Sequence, residues 1–330
     1  MKLKYLSIFP LSLMLATLTC LAQSQGKPDS FPPARKRHEN SISSTAGNIR
    51  ITGDTLSLNF TLFKYFPFIS ATVNGRDGWL MFDTGAQSAL ELDNKLVSLG
   101  EGLNPSSGFV SSGQSYQTQH YPTVKSIALD NRLFYSDAGP VSGHDFSYMN
   151  SITPDIIGLI GYDFFKNYLF KLDYQKKRIT FYRNTPKRQR RKDFLFREKL
   201  IATIDFELRK LPNHPVIPLI MGRDTLAISF DTGQLGTLTL TEETKAQWMS
   251  SGMLSSQPGK RQASLDSLTL PGHIRLTPGS LVLTPPSAAQ NAKKAIGITE
   301  KNSITLGFAL LSQYKSVWDF QKRKIYLMEK

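Results

Sequence analysis

The stretch Trp79-Leu80-Met81-Phe82-Asp83-Thr84-Gly85 decides the fold, because an apolar run ends there on a polar, turn-forming tripeptide. A second stretch, Ala227-Ile228-Ser229-Phe230-Asp231-Thr232-Gly233, repeats the pattern 148 residues later. A single Asp-Thr-Gly is typical of an ordinary turn, since Asp and Gly both favour tight reversals. Two of them, each directly after an apolar strand, indicate a common structural role.

The similarity extends to both sides of these tripeptides. The stretch Gly161-Tyr162-Asp163-Phe164-Phe165 aligns without a gap with Gly307-Phe308-Ala309-Leu310-Leu311, 146 residues further on. Upstream, Gly75-Arg76-Asp77 aligns with Gly222-Arg223-Asp224. The alignment predicts two copies of one unit of about 140 residues, close to an ordinary domain size.

Each copy consists mainly of short apolar runs separated by turn residues, a pattern that predicts β-strands. We expect short helices only at 94–99, 161–168 and 307–314. The predicted fold class is all-β, with two similar lobes and a few short helices. The predicted lobes cover residues 49–183 and 200–330.

The first 48 residues predict export. Lys2 and Lys4 precede an apolar core at 6–18, and small residues near 20–22 suit cleavage before Gln23, so 1–22 is predicted to be a secretory signal. The rival interpretation is a lipid anchor on Cys20. Residues 23–48 predict a flexible leader or a propeptide. No other segment approaches the roughly 20 apolar residues of a transmembrane helix, so we expect a periplasmic or secreted protein.

The charge is concentrated in one place. The chain has 40 basic and 26 acidic residues, a net charge of +14, and the stretch 176–199 holds eleven basic against two acidic ones. We interpret 184–199 as a solvated basic linker, with a dibasic cleavage site or a contact with an acidic surface as alternatives. Aromatic residues are not interleaved as they are in a nucleic-acid stacking surface, so no nucleic-acid partner is expected.

The paired motifs resemble the aspartic peptidases of the retropepsin and pepsin group. The resemblance covers nearly all of residues 50–330 and implies two acid-protease-type β-barrel lobes with a cleft between them. Both half sites lie in one chain, as in the pepsins, whereas each half is closer to the bacterial retropepsin-like type. The resemblance therefore implies a monomer with an intrachain pseudo-dimer, acting on a protein or peptide.

The resemblance also implies roles for individual residues. Asp83 and Asp231 would form the catalytic dyad, with no metal and no cofactor. The residues expected to support the dyad are Thr84, Gly85, Thr232 and Gly233. A flap at 104–124 would cover the cleft, and its tyrosine would be Tyr116 or Tyr121.

One departure from the family pattern bears on activity. Pepsin-type loops usually continue with Ser or Thr after the glycine and retropepsin loops with Ala, whereas this chain has Ala86 and Gln234. Neither residue offers a hydroxyl to the carboxylate, and losing such a hydrogen bond raises a carboxyl pKa. We therefore expect a milder pH optimum than that of digestive acid peptidases. Gln234 also motivates an alternative function, an inactive binding or scaffold protein.

Overall fold

The computed structural model describes residues 42–43, 47–109, 115–221, 224–256 and 260–330. The predicted signal, 1–22, and most of the predicted leader, 23–48, lie outside the described residues. Gly222, Arg223 and the middle of the predicted flap, 110–114, lie outside them as well.

The described chain is mostly strand. The first twelve strands are β1 (Ile42–Ser43), β2 (Thr55–Asn59), β3 (Thr61–Phe63), β4 (Phe66–Val73), β5 (Arg76–Phe82), β6 (Leu90–Asp93), β7 (Leu103–Phe109), β8 (Ser115–Tyr121), β9 (Val124–Leu129), β10 (Leu133–Ala138), β11 (Val141–His144) and β12 (Ile156–Ile160). The next seven are β13 (Tyr168–Asp173), β14 (Arg178–Arg183), β15 (Leu200–Asp205), β16 (Val216–Met221), β17 (Asp224–Phe230), β18 (Thr237–Thr239) and β19 (Leu254–Ser256). The last seven are β20 (Gln262–Leu265), β21 (Leu268–Leu270), β22 (Ile274–Leu276), β23 (Gly279–Leu283), β24 (Asn302–Leu306), β25 (Lys315–Asp319) and β26 (Lys324–Met328). The all-β prediction is confirmed.

The α-helices are few and short. They are α1 (Tyr162–Phe165), α2 (Pro186–Arg191), α3 (Glu242–Ser250), α4 (Pro286–Ile296) and α5 (Phe308–Leu311), with 3₁₀ turns at Ser147–Met149 and Asp193–Leu195. The predicted helices at 161–168 and 307–314 are present as α1 and α5. The helix predicted at 94–99 was wrong: the Asp93 carboxylate accepts the backbone N–H groups of Lys95 and Leu96, which closes a turn instead.

Two sheets have the same internal strand order. In the larger, eleven-stranded sheet the strands run β1-β10-β9-β4-β5-β12-β6-β11-β8-β7, with β3 added to β4. In the seven-stranded sheet they run β16-β17-β24-β18-β23-β20-β19. From β4 onward each strand of the first sheet has a counterpart in the second, and each pair has the same parallel or antiparallel direction. The shared strand order supports the predicted duplication, which remains a prediction.

A six-stranded sheet joins the two halves of the chain, in the order β15-β26-β25-β13-β14-β2. At its centre β13 pairs antiparallel with β25, and Lys171 lies opposite Val317. These two residues occupy equivalent positions in the two aligned copies, 146 residues apart. The core continues across this sheet, because Phe170 stacks on Trp318 with ring centroids 5.3 Å apart and both are fully buried. Residues from both predicted lobes therefore share one hydrophobic core.

The segment 184–199, predicted to be a solvated basic linker, contains α2 and a 3₁₀ turn, while most of its basic side chains are exposed. Thr185 caps α2 by accepting the N–H of Arg188, and Pro186 opens the helix, a favourable first position for proline. Arg188 is buried and donates to the Asp54 carboxylate at 2.7 Å and to Asp193 at 3.0 Å. Phe194 is fully buried against Tyr326. Part of the local charge is therefore held in specific ion pairs.

Within the described ranges, no helix is long and apolar enough to cross a membrane.

Candidate active site

Each Asp-Thr-Gly loop leaves the end of a strand in the middle of a sheet. β5 delivers Asp83 and β17 delivers Asp231, each beside a parallel neighbour, β12 or β24. The Asp83 N–H donates to Ile160 O at 3.0 Å, and the Asp231 N–H donates to Leu306 O at 3.1 Å. The last residue of the neighbouring strand, Ile160 in β12 or Leu306 in β24, thus holds the start of each loop.

The two loops are bonded to each other through their threonines. The backbone N–H of Thr84 donates to Thr232 Oγ1 at 3.0 Å, and the N–H of Thr232 donates to Thr84 Oγ1 at 3.0 Å. The Thr232 hydroxyl donates in turn to Phe82 O at 2.9 Å. Both threonines are fully buried, so these reciprocal bonds fix the loops where water cannot compete for them.

Gly85 and Gly233 lie against both carboxylates. Each donates its N–H to the aspartate two residues before it, at 2.7 Å to Asp83 Oδ1 and 2.8 Å to Asp231 Oδ1. A Cβ at Gly233 would sit 2.4 Å from Asp83 Cγ, and one at Gly85 would sit 2.7 Å from Asp231 Oδ2. Only glycine fits at these positions, and the same distances place the two carboxyl groups side by side.

The two carboxyl groups interact directly. Burial raises the pKa of Asp83 well above its usual range, and the charge of Asp231 and a hydrogen bond between the two side chains raise it further. The Gly85 N–H opposes this rise only in part. Two adjacent carboxyl groups cannot both ionise cheaply, so the pair is expected to share one proton.

Gln234 contacts the second carboxylate directly. Its side-chain Nε2 donates to Asp231 Oδ2 at 2.9 Å, while its Oε1 accepts from the Thr237 hydroxyl at 3.3 Å. Gln234 offers no hydroxyl, but its longer side chain places an amide N–H on a carboxylate oxygen, so the second loop keeps a donor at this position. Asp231 therefore accepts from two groups where Asp83 accepts from Gly85, which favours placing the shared proton on Asp83.

Asn213 and His214, in the turn before β16, contact the first Asp-Thr-Gly loop from the other half of the chain. Asn213 is fully buried and its Nδ2 donates to Thr84 O at 3.1 Å and to Gly85 O at 2.8 Å. His214 is half-buried beside Asp231. Burial lowers the pKa of His214, whereas the Asp231 charge and a hydrogen bond to the Gly85 backbone favour its protonated form.

A cavity of about 410 Å³ opens over the dyad. Both aspartates line it, together with Gln234, His214 and residues from both halves of the chain. Tyr116 of β8 also lines it, with its ring stacked on His144 at 4.0 Å. Tyr121 does not: its ring is 3% exposed within the core and its hydroxyl donates to Gln119 at 2.9 Å. Of the two flap candidates, only Tyr116 lies at the cavity.

A third carboxyl group, Glu91, lies in the same cavity. The Tyr116 hydroxyl donates to Glu91 Oε2 at 3.5 Å, and His144 Nδ1 lies 4.0 Å from that oxygen. Burial raises the pKa of Glu91 to about 7 and lowers that of His144 to about 4. The 4.0 Å separation exceeds a hydrogen bond and burial favours both neutral forms, so Glu91 and His144 form no ion pair between these two pKa values.

We did not predict from the sequence that Glu91, Asn213 and His214 belong to the site. We also did not predict the contact that Gln234 makes with Asp231. In the sequence Leu90-Glu91-Leu92, the alternation of a strand with one buried face would point Glu91 to solvent. β6 instead lies between β12 and β11, and all four of its residues are buried. Asn213 and His214 are single polar residues 128 or more positions from the loop they contact, so no local pattern marks them.

Among the described residues, no group of three or more His, Cys, Asp and Glu side chains is arranged to hold a metal ion. Comparison with known protein families and with curated proteins found no match for this chain.

Proposed function

We propose that the protein is an aspartic endopeptidase that hydrolyses peptide bonds with Asp83 and Asp231. The observation that carries this proposal is the reciprocal pair of Thr84 and Thr232 hydrogen bonds, which brings two Asp-Thr-Gly loops together at one cavity. An ordinary turn has no need of such an arrangement. A dyad that shares one proton can supply a general base and a general acid at the same pH.

In the proposed reaction the peptide lies in the cavity with its scissile carbonyl over the dyad. Ionised Asp231, held by Gly233 and Gln234, removes a proton from a water molecule that attacks the carbonyl carbon. Protonated Asp83 donates its proton to the carbonyl oxygen, giving a neutral tetrahedral diol. The protonated Asp231 then donates to the departing amine nitrogen as the C–N bond breaks, and Asp83 takes back the proton of the diol hydroxyl.

The test is cleavage of a peptide library by the chain from Gln23 onward, with Asp83→Asn and Asp231→Asn variants. Each variant should lose about 10²- to 10⁴-fold in kcat/KM, because an amide can neither ionise nor donate a proton in the required direction. Asp137→Asn is the matched control, since Asp137 is exposed on β10. Cleavage that survives in both dyad variants would rule out the proposal.

The pH optimum gives a second test of the same proposal. Asp83 is half-buried, has no hydroxyl donor at Ala86, and has a pKa that is raised well above its usual range. We therefore expect activity to peak well above the range of digestive acid peptidases. A pH–rate profile peaking below about pH 3 would contradict this expectation.

The alternative is a binding or scaffold protein with an inactive second loop. It was suggested by Gln234, which departs from the residues usual after the glycine of the family's loops. The hydrogen bond from Gln234 to Asp231 weakens that motive, because the amide contributes to the carboxylate's environment instead of displacing it. Tight binding of a peptide that neither the parent protein nor the dyad variants cleave would favour this alternative.

A further inference from the structure

Glu91 is a buried carboxyl group that the proposed reaction leaves unused. Its side chain is 11% exposed, and the residue lines the cavity that holds the dyad. A carboxylate has four acceptor positions, yet the side-chain donors around this one are the Ser88 hydroxyl and the Tyr116 hydroxyl, the latter at a long 3.5 Å. Part of its hydrogen-bonding capacity is therefore open to a ligand.

The described part of the chain supplies no fixed cation to Glu91. Among the residues that the structure describes, the one basic side chain within ion-pair distance is His144, at 4.0 Å. His144 is 1% exposed and is stacked between Tyr116 and Phe146, each at 4.0 Å. Neither of its ring nitrogens has a hydrogen-bond partner within the described part of the chain. A buried acidic group is normally paired, so the missing partner points to something that enters the cavity.

The surroundings indicate what that partner is. Met81, Tyr148 and Leu159 also line the cavity, and they offer apolar surface to an alkyl stem. Lysine and arginine bury such a stem along apolar walls and carry the charge at the tip. The shared negative charge of the dyad and the charge of Glu91 both favour a cation here, whereas Lys293 on the α4 side donates to two backbone carbonyls.

Resting on the proposed function, we infer that Glu91 is a specificity-determining residue that binds a lysine or arginine side chain of the substrate next to the scissile bond. The carboxylate accepts the ammonium or guanidinium group, and the apolar walls pack along the stem. A purely apolar substrate side chain would fill the same pocket but leave Glu91 without a partner. The experiment therefore compares a charged with an apolar side chain of similar length.

The ionisable groups facing Glu91 give the inferred site a pH dependence. Tyr116 and Tyr148 stay neutral, since burial raises the pKa of each. His144 carries little positive charge near neutral pH, because burial lowers its pKa to about 4 even though Asp93 and Asp145 favour its protonated form. Glu91 itself, with a pKa of about 7, must lose its proton to form the ion pair, and it also raises the pKa of Asp83. The preference for lysine should therefore increase as pH rises toward 7.

The test uses two peptides that differ at the residue beside the cleaved bond, lysine in one and norleucine in the other. Norleucine keeps the stem and lacks the ammonium group. At pH 7 the parent protein should favour the lysine peptide by roughly 10- to 10³-fold in kcat/KM, the range for a buried charge pair. Glu91→Gln should reduce this ratio to near one, while Glu101→Gln, an exposed matched control, should leave it unchanged. An unaltered ratio in Glu91→Gln, or a parent preference for norleucine, would overturn the inference.

Direct binding separates this inference from the proposed function. Calorimetry with the same two peptides and the Asp83→Asn/Asp231→Asn double variant should show tighter binding of the lysine peptide, lost when Glu91→Gln is added. If the parent protein cleaves neither peptide but this difference in binding is found, the proposed reaction fails and the cation subsite stands. If both peptides bind equally with Glu91 in place, the subsite is rejected even where cleavage occurs.

Discussion

Gln234 donates an amide N–H to Asp231 Oδ2 at 2.9 Å, and its amide oxygen accepts from the Thr237 hydroxyl at 3.3 Å. A hydrogen bond to a charged group contributes roughly 1.5–3 kcal/mol, which corresponds to about 10- to 100-fold in a rate if the charge is required. Gln234→Leu should therefore lower kcat by about 10-fold or more with little change in KM.

The same substitution should move the acidic limb of the pH–rate profile to higher pH, because the ionised form of the dyad loses a donor. Gln234→Ser, which returns a hydroxyl to the loop, should move that limb part of the way back. A profile identical in the parent and Gln234→Leu would mean that the amide has no part in the chemistry. The measurement is kcat against pH for the three proteins.

Glu91 should lower the stability of the fold at neutral pH. Its pKa is raised by burial from 4.5 to about 7, so between these values the folded protein binds more protons than the unfolded chain. The free energy of unfolding therefore falls as pH rises through this window, and the loss is complete above about pH 7. Glu91→Gln carries no charge at any pH and should be about 2–3 kcal/mol more stable than the parent at pH 8.

At pH 4 the difference between Glu91→Gln and the parent should nearly vanish, because Glu91 is then protonated in both states. His144 acts in the opposite direction, since its lowered pKa costs stability as pH falls below 6.5, but it is present in both proteins. Urea unfolding at pH 4 and pH 8 measures the difference. An equal effect at both values would show that the substitution acts through packing.

At the scale of elements, α2 converts a charged segment into part of the fold. The guanidinium of Arg188 donates to the Asp54 carbonyl at 3.0 Å and to the Arg183 carbonyl at 3.1 Å, besides its two carboxylate partners. Arg188→Ala removes all four of these side-chain hydrogen bonds, although the Asp54 carbonyl keeps the N–H of Arg183 at 2.8 Å, and it should reduce the free energy of unfolding by about 2 kcal/mol. Arg190→Ala, an exposed neighbour on the same helix, should change it by less than about 0.5 kcal/mol. Denaturant unfolding of the two variants makes the comparison, and equal losses would indicate a solvated segment.

How much of the fold could be predicted differs from element to element. β5, β17 and the loops after them were predictable because an apolar run and a turn tripeptide are adjacent in the chain. α3 and α4 were missed although Thr241 caps the first, accepting the Thr244 N–H, and Gly297 ends the second in a left-handed conformation. In α3 only Thr244 and Trp248 are buried, so its apolar periodicity is too weak to mark a helix.

The candidate site divides in the same way. Asp83 and Asp231 are identified by a motif whose residues are consecutive, and their threonines and glycines come with it. Glu91 reaches the site through long-range strand pairing, and Asn213 reaches it from a turn that contacts the first loop 129 residues away. A local pattern encodes neither contact. The position of Gln234 after the glycine could be read from the sequence. Whether its amide reaches Asp231 depends on the loop geometry, which the sequence does not give.

At the scale of the whole molecule, the two predicted lobes depend on each other. The β13–β25 pairing crosses from one half of the chain to the other, and one hydrophobic core continues through it. The dyad requires loops from both halves, held by the bonds between Thr84 and Thr232. Hinge motion between domains is the usual expectation for a small, polar interface, and this contact is instead apolar and hydrogen-bonded as a sheet.

We therefore expect the described fold to unfold in one cooperative step. Calorimetry should give a single transition whose measured enthalpy equals the van't Hoff enthalpy. Trp318→Leu removes a fully buried ring that stacks on Phe170 across the shared sheet, and it should lower the stability of the whole transition by about 2–4 kcal/mol without splitting it. Two separated transitions, or a variant that melts one half of the chain while the other keeps its midpoint, would show that the lobes are independent. In that case the shared sheet would be a docking contact, and the geometry of the dyad would depend on how tightly the lobes associate.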